Sequence, residues 1–303
     1  MFLELNIVSK IVIVSDGSCD LPRELVEQYN IHIIPFKVIF GEEVYRTYGD
    51  WGTITKEQFY NKLQSFPEFP TTSVPSPIMV NQVLGKALEQ AETVIAILLS
   101  RNFSSLYQMV VKLSEKFESA DISVVDSGVA TSSLGALVLE AAKMATSGAS
   151  KEEILHRLDQ LIPQARLLVV LDSVDAVYHS GRVGWAKKFL VSSLRIKPIV
   201  NFRDGLIVPG GTLRGRKEVI KRLKFVAPIV VREAITDTVF IWHVRFSSAA
   251  QELKELMERN NEQNKNIIVQ EAGPIVGSHV GEKSIGYMYI GPYKKQWILK
   301  MKE

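Results

Sequence analysis

The sequence predicts an α/β protein with a doubly wound parallel sheet, followed by a second, α+β domain. Three short apolar runs in the first half each end in small polar residues, as parallel strands that feed loops do. They alternate with segments of helical periodicity up to about residue 162, which favours a parallel sheet. The 303 residues suit two domains. We therefore expect an N-terminal α/β domain at 1–162 and a C-terminal α+β domain at 163–303.

The first predicted strand is the apolar run 11–14, and Leu21-Pro22 then opens a helix. A β-rich run follows at 31–40. Thr55 and Gln58 form a capping box that starts the next helix. Residues 71–77 predict a rigid, hydroxyl-rich loop. Later elements of this half are strands at 94–99 and 122–125, a helix through 106–117, and a helix opened by the capping box of Ser150 and Glu153.

The second half mixes strands, turns and a helix. Residues 179–184 (HSGRVG) form a basic turn broken by glycines, and Arg203-Asp204-Gly205 predicts a turn after a strand. Another glycine-rich turn, 273–281, contains His279. The predicted strands are 167–171, 196–200, 239–244, 267–269 and 287–290, and the predicted helix is 249–258.

Polar residues follow three strands of the predicted parallel sheet, at Ser15-Asp16, Ser100 and Asp126-Ser127. Ligands of such sheets bind outside the carboxyl ends of the strands. Each residue by itself is more simply explained as a cap of the following helix. Their convergence at one edge nevertheless predicts a site there.

Composition excludes several classes of function. The 36 Lys and Arg minus 33 Asp and Glu leave a net charge of +3, too weak a field for nucleic acid or an anionic membrane. Cys19 is the single cysteine, so neither an internal disulfide nor a thiolate zinc cluster can form. No uncharged apolar run approaches membrane-spanning length, and Glu4 makes the first ten residues a poor signal peptide. We expect a cytoplasmic protein without stable membrane insertion.

The sequence contains no phosphate-binding P-loop, dinucleotide fingerprint, HExxH helix or GxSxG elbow. The five histidines are too scattered to predict a metal site. His279 stands apart because its glycine-rich turn lets the backbone approach a ligand closely. The basic residues of 214–224 are most simply a solvated helix face, with docking of a partner or anion as the alternative.

Several motifs together resemble the DegV family, the bacterial fatty-acid-binding proteins that include the B subunit of fatty acid kinase. The resemblance runs from Ile11 to about Gly291, and it rests on the order and spacing of the pieces. The pieces are VSDGSCDLP, PTTSVPSP at 70–77, LLSRNFSSLYQ at 98–108, VVDS at 124–127, HSGRVG at 179–184, LRIKPIV with RDG, RGRK, and GPIVGSHVG at 273–281.

The resemblance implies a two-domain fold with one long-chain fatty acid in a tunnel between the domains. It implies that a separate ATP-dependent kinase subunit phosphorylates the carboxylate, and that the acyl phosphate enters phospholipid synthesis. The chain itself would then be a carrier without a catalytic nucleophile, a metal or a cofactor. We expect a monomer.

The resemblance also assigns residues. The carboxylate-binding hydroxyls fall on Thr72 or Thr71 and on Ser100 or Ser104, and the family's histidine falls on His279. Hydroxyls suit this role because they donate hydrogen bonds without neutralising the carboxylate. The arginine near the mouth and the partner surface falls on Arg182. Residues added as a docking hypothesis are Arg214, Arg216 and Lys217.

The chain departs from the family pattern at three places. Arg101 replaces a serine and Ser105 a glycine in the serine-rich stretch, and Val74 replaces a glutamine. The glycine-rich run after His279 is interrupted at 282–284. Arg101 is expected to be a surface arginine, with a direct pair to the carboxylate as the alternative.

Two other functions stay open from the sequence. A serine hydrolase of acyl esters would use Ser100 or Ser104 with His279 and Asp16, an arrangement that chain order does not exclude. A lipid-sensing regulatory protein would use the same pocket without a kinase.

Overall fold

The computed structural model describes residues 10–48, 52–189 and 195–299. Glu4, which bears on the signal-peptide prediction, lies outside them. The described strands are β1 (Ile11–Asp16), β2 (His32–Ile34), β3 (Lys37–Phe40), β4 (Glu43–Arg46), β5 (Thr71–Ser73), β6 (Thr93–Leu98), β7 (Asp121–Asp126), β8 (Ala165–Val170), β9 (Ile196–Arg203), β10 (Leu206–Arg214), β11 (Thr238–His243), β12 (Asn266–Glu271) and β13 (Ile285–Ile290).

Helices connect these strands and cover the sheets. They are α1 (Arg23–Gln28), α2 (Lys56–Ser65), α3 (Pro77–Leu88), α4 (Leu106–Ser114), α5 (Thr131–Thr146), α6 (Lys151–Leu161), α7 (Asp175–His179), α8 (Gly215–Glu233), α9 (Ser247–Arg259), α10 (Pro274–Gly277) and α11 (Gln296–Leu299). Both predicted capping boxes are confirmed, at the starts of α2 and α6.

Three sheets form the framework. Strands β2-β1-β6-β7 make the parallel sheet that the first half of the sequence predicts. A mixed sheet has the order β10-β9-β8-β13-β11-β12, and its one parallel pair is β11 with β12. A small antiparallel sheet, β4-β3-β5, stands beside the first. The predicted α/β fold with its parallel sheet is therefore confirmed, and the strands of the second half form a mixed sheet.

The sequence prediction fails locally at the small sheet. The β-rich run 31–40 contains two strands, β2 and β3, because the chain leaves the parallel sheet between them at Pro35, which has no N–H to donate. Thr71–Ser73, predicted as a loop, is strand β5 and pairs with β3. Its β-branched threonines favour the extended backbone.

Helix α5 joins the two large sheets and was not predicted. It packs on strands of both sheets, so nearly all of its first twelve residues are buried. A helix buried on all sides has no polar face, and its sequence therefore lacks the amphipathic period. Helix α3 was also missed, although Pro77 at its first turn and the spacing of its buried side chains were readable signals.

The mixed sheet has two apolar faces, since successive side chains of a strand point to opposite sides. Leu167 and Val169 of β8 contribute to a core shared with the first sheet. Leu168 and Val170 pack into a second core with α8 and α9. The C-terminal residues Tyr293 and Trp297 pack against this second core. The shared core is continuous, so the predicted domain boundary near 162 stays a prediction.

A buried carboxylate connects the two large sheets. Asp20, in the loop after β1, accepts hydrogen bonds from Thr131 Oγ1 at the start of α5, from Trp242 Nε1 on β11 (3.2 Å) and from the Gly273 N–H (2.9 Å). It is 1% exposed. Burial outweighs these donors and raises the pKa of Asp20 to about 6.

We predict that Asp20 makes stability depend on pH. The raised pKa means that the folded protein takes up a proton before the unfolded chain does, so Asp20 adds stability as the pH falls from about 7 to about 4. The full effect is about 3 kcal/mol. Urea unfolding of wild type and Asp20→Asn across this pH range should show the unfolding free energy of wild type rising relative to that of the variant as the pH falls. A difference that stays constant with pH would contradict the prediction.

Candidate ligand-binding site

A cavity of about 450 Å³ lies between the parallel sheet and the mixed sheet. One wall is formed by the loops after β1, β6 and β7, at the carboxyl edge of the parallel sheet where a site was predicted. The other wall is the face of the mixed sheet that belongs to the shared core. The volume of the cavity falls in the range of small-molecule binding sites.

Most of the cavity lining is apolar. Leu167, Val169 and Leu171 present alternate side chains of β8 and its end to the cavity. Val200 on the neighbouring strand β9 and Trp242 on β11 extend this surface. An unpaired polar group would lose free energy against such a surface, whereas an apolar chain would gain it.

The polar part of the lining centres on Thr72 and His279. Thr72 lies on β5, held opposite Val38 of β3, and His279 follows α10. The Thr72 Oγ1 atom is 2.8 Å from His279 Nε2, although the two residues are 207 positions apart in the chain. These two predicted carboxylate-binding residues are therefore brought together.

His279 is a neutral imidazole at physiological pH. Burial, and secondarily the positive charge of Arg182, lower the pKa of His279 to about 4. Its Nδ1 atom is buried, and no described group hydrogen-bonds to it. The proton can thus reside on either ring nitrogen.

The direction of the Thr72–His279 bond decides what Thr72 can do. A proton on Nε2 is donated to Oγ1 and leaves the threonine hydroxyl free to donate into the cavity. Without that proton, the hydroxyl must donate to the ring instead. Only the first arrangement lets Thr72 donate to an anion.

Of the three other hydroxyl residues predicted to bind the carboxylate, one lines the cavity and two do not. Ser104 lines the cavity, and its Oγ also accepts from the Leu106 N–H at 3.2 Å. Ser100 is fully buried outside the lining, where its Oγ donates to the Gly205 carbonyl at 2.8 Å. Thr71 is exposed and lines a neighbouring hollow.

That neighbouring hollow, of about 390 Å³, shares Ser180, Arg182 and His279 with the apolar cavity. Arg182 is exposed, and its Nη1 donates to the Ser180 carbonyl at 2.6 Å. Phe69 stacks on His179 at the rim, with ring centroids 4.7 Å apart. The arrangement places Arg182 beside the polar end of the cavity.

The other basic candidates lie at the start of α8, and all three are exposed. Arg216 forms a bidentate salt bridge with Asp172, in which Nε and Nη2 each donate to one carboxylate oxygen at 2.8 Å. The backbone N–H of Arg214 donates to Glu218. Lys217 is the third. Their role in docking stays a prediction.

Arg101 is paired elsewhere. Its Nε atom is 2.5 Å from Asp126, and its guanidinium lies over the ring of Tyr107, 5.2 Å from the centroid. It is exposed and absent from the cavity lining. The expectation of a surface arginine agrees with this position.

The hydrolase arrangement is not assembled among the described residues. The Asp16 carboxylate accepts from Ser18 and from the Leu99 N–H, and His279 bonds to Thr72. No hydrogen bond links His279 to Asp16, Ser100 or Ser104 within this part of the chain. A triad needs its base within reach of both partners.

The described residues contain neither a candidate metal site nor a helix that could span a membrane. Across 10–48, 52–189 and 195–299, no three His, Cys, Asp or Glu side chains are grouped to hold a metal ion. Every helix described there is too short or too polar to cross a bilayer.

Sequence reasoning missed several lining residues. Ser18 and Thr131 follow β1 and β7 at the predicted edge, so their positions after strand ends were a usable signal. Phe103 and Trp242 read as ordinary core residues, and nothing in their local sequence distinguishes them.

Comparison with known proteins agrees with this geometry. The family model described as DegV family matches residues 10–291. A DegV domain-containing protein of Caldanaerobacter subterraneus subsp. tengcongensis is 31% identical and covers 93% of this chain and 99% of its own length. The predicted resemblance is confirmed by these matches.

Two solved structures share the fold. DegV from Bacillus subtilis, described as a fatty acid binding protein, is 26% identical with a TM-score of 0.80, over 94% of this chain and 100% of its own. A stearic acid-binding protein from Eubacterium ventriosum is 28% identical with a TM-score of 0.79, over 92% and 97%. Both confirm the two-part α/β architecture.

Proposed function

The chain belongs to the DegV family, and from that premise we propose that it binds one long-chain fatty acid in the cavity between its two large sheets. The observation that carries this proposal is an apolar cavity of about 450 Å³ with the Thr72–His279 pair in its lining. The descriptions of the relatives from Bacillus subtilis and Eubacterium ventriosum support the same ligand class.

The apolar wall supplies the binding energy. Each buried methylene contributes ~0.8 kcal/mol, so about 14 methylenes contribute on the order of 11 kcal/mol before the costs of association. Leu167, Val169, Leu171 and Val200 form a continuous surface for such a chain.

The polar end holds the carboxylate without neutralising it. Thr72 donates its hydroxyl proton to the ligand once His279 keeps its own proton on Nε2, so a bound carboxylate selects that tautomer. Ser104 is the second hydroxyl of the cavity lining. The carboxylate therefore retains its charge, and its oxygen remains nucleophilic. A bidentate arginine pair would occupy both oxygens and reduce that nucleophilicity.

We further propose that the bound acid is presented to a separate ATP-dependent kinase subunit. A carboxylate oxygen would attack the γ-phosphorus of ATP held by that subunit, the bond to the β-phosphate oxygen would break, and acyl phosphate and ADP would form. In this proposal Arg182 contacts the partner or the transferred group, and its exposure beside the polar end supports that role. This reading makes the chain a carrier and co-substrate, with the lipid-sensing alternative differing only in lacking the kinase.

Protein purified from a bacterial host should carry a fatty acid at about one molecule per chain, because the apolar cavity retains its ligand through dilution. Denaturing extraction and mass spectrometry measure the amount. Repeated preparations without any lipid would contradict the proposal.

Replacing Thr72 by valine should weaken fatty acid binding about 10-fold to 100-fold, since a hydrogen bond to a charged group contributes about 1.5–3 kcal/mol. Displacement of a fluorescent fatty acid measures the affinity. Thr72→Ser keeps the hydroxyl and is the matched control, with affinity near wild type. Equal affinities for the valine and serine variants would remove Thr72 from the site.

A purified kinase subunit with ATP should convert the bound acid to acyl phosphate, and Arg182→Glu should slow this turnover by reversing the charge beside the polar end. Arg259→Glu, an exposed arginine on α9 at the opposite face of the mixed sheet, is the control. Turnover equal to wild type in Arg182→Glu would remove Arg182 from docking. Failure of phosphorylation with the acid still bound would favour the lipid sensor.

A further inference from the structure

The turn that carries His279 is held at its start by helix α2. Tyr60 of α2 is fully buried, and its hydroxyl donates to the Ala272 carbonyl at 2.9 Å, across 212 positions of the chain. Ala272 lies between β12 and α10, and His279 comes two residues after the end of α10. Burial raises the pKa of Tyr60 above its ordinary value, so the hydroxyl keeps the proton that it donates.

The same helix also contacts α10 directly. A Cβ atom at Gly277, the last residue of α10, would lie 2.9 Å from the Tyr60 hydroxyl and 3.0 Å from the Phe59 ring. Real Cβ atoms do not approach other atoms so closely, so this contact requires glycine. Helix α2 therefore touches the His279 turn at both ends of α10.

Helix α2 contacts the sheet that contains Thr72 as well. Phe59 packs on Phe40 of β3, with ring centroids 5.8 Å apart, and β3 pairs with β5, the strand of Thr72. Phe59 and Tyr60 are themselves in T-shaped contact, with centroids 4.9 Å apart. These two adjacent residues thus connect the sheet that holds Thr72 to the turn that holds His279.

The Thr72–His279 bond depends on this connection. Its length is 2.8 Å from Oγ1 to Nε2, and a hydrogen bond is lost once such a distance grows by about 1 Å. No described residue hydrogen-bonds to the other ring nitrogen of His279. The imidazole therefore relies on the position of its turn to reach Thr72.

We propose that Tyr60 is a positioning residue for the carboxylate end of the cavity, which holds the turn of His279 at the distance at which the imidazole meets Thr72. The inference rests on the proposed fatty acid function and adds a residue that acts on the head group without touching the ligand. Tyr60 does not line the cavity, and it acts through its contacts with Ala272 and Gly277.

The test compares wild type with Tyr60→Phe for two ligands, palmitic acid and the fatty alcohol of the same length. The variant keeps the ring and loses only the hydroxyl that bonds to Ala272. Binding of the acid should weaken about 5-fold and binding of the alcohol less than about 2-fold, because hydrogen bonds to a charged group are the stronger ones. Displacement of a fluorescent fatty acid measures both affinities. Equal losses for the two ligands, or no loss for either, would overturn the positioning role.

Tyr287→Phe is the matched control. The Tyr287 hydroxyl is also fully buried and donates to a backbone carbonyl, that of Leu223, at 2.9 Å. It belongs to the second core, on the face of the mixed sheet that points away from the cavity. This variant loses the same type of bond, so its stability should fall while both affinities stay within about 2-fold of wild type. A selective loss of acid binding in Tyr287→Phe as well would overturn the assignment to Tyr60.

Gly277→Ala changes the same contact from the side of α10. The added Cβ atom should move α10 away from α2 and weaken binding of the acid more than that of the alcohol. Thermal melting checks that this variant and Tyr60→Phe are folded. An unchanged ratio of the two affinities in folded Gly277→Ala would overturn the role of the α2 contact.

Combination with Thr72→Val tests the route through His279. Because Tyr60 acts by placing His279 against Thr72, Tyr60→Phe should change the acid affinity by less than about 2-fold once Thr72 is valine. Losses that multiply in the double variant would show that Tyr60 acts independently of Thr72, and would overturn the proposal.

A measurement without ligand separates this inference from the proposed function. Burial lowers the pKa of His279 to about 4, and NMR titration of the ring measures it. Tyr60→Phe should move this pKa towards the ordinary histidine value of about 6.5, and Tyr287→Phe should leave it unchanged. An unchanged His279 pKa in Tyr60→Phe would overturn the positioning role, whereas absence of fatty acid binding in wild type would overturn the proposed function instead.

Discussion

The junction between the two large sheets depends on the buried carboxylate of Asp20. It links the sheets and also fixes the spacing between them. Its three hydrogen bonds join the loop after β1 to α5, to β11 and to the turn before α10. Directional bonds fix a spacing, whereas apolar contact alone would favour collapse of the junction. The cavity beside Asp20 persists because its walls are edges and faces of hydrogen-bonded sheets. Burying the ionised Asp20 carboxylate lowers the stability of the fold, and its hydrogen bonds offset only part of that loss.

The polar end of the cavity works through a neutral ring. Burial keeps His279 uncharged at physiological pH, so the site offers an anion hydrogen bonds without a full opposing charge beside it. In the proposed complex, Thr72 would donate to the ligand only when His279 carries its proton on Nε2, because a hydroxyl has a single proton to donate. Arg182 lines both the cavity and the neighbouring hollow, so a positive charge lies near the polar end. The arrangement suits binding of a carboxylate better than hydrolysis of an ester, because His279 hydrogen-bonds to Thr72 and to neither Ser100 nor Ser104.

The parallel sheet, the strands of the second half and both capping boxes could be predicted because they depend on local period and local hydrogen bonds. Predictions failed where neighbours in space decide. Helix α5 lies buried against both sheets and has no polar face to reveal it, and Thr71–Ser73 becomes a strand only because β3 lies alongside. Within the site, Thr72 and His279 were predicted through family motifs, while Phe103 and Trp242 look like any core residue.

The sequence by itself determined the α/β class, the family, and the hydroxyl and imidazole groups available to a ligand. Only the tertiary structure decided which of these groups meet. Thr72 and His279, 207 residues apart, are in contact, whereas Ser100 turns to Gly205 and Arg216 to Asp172. The physical reason is that a hydroxyl or a guanidinium bonds to whichever partner the packing of distant strands brings within about 3 Å. Chain order does not contain that distance until the sheets have paired and packed.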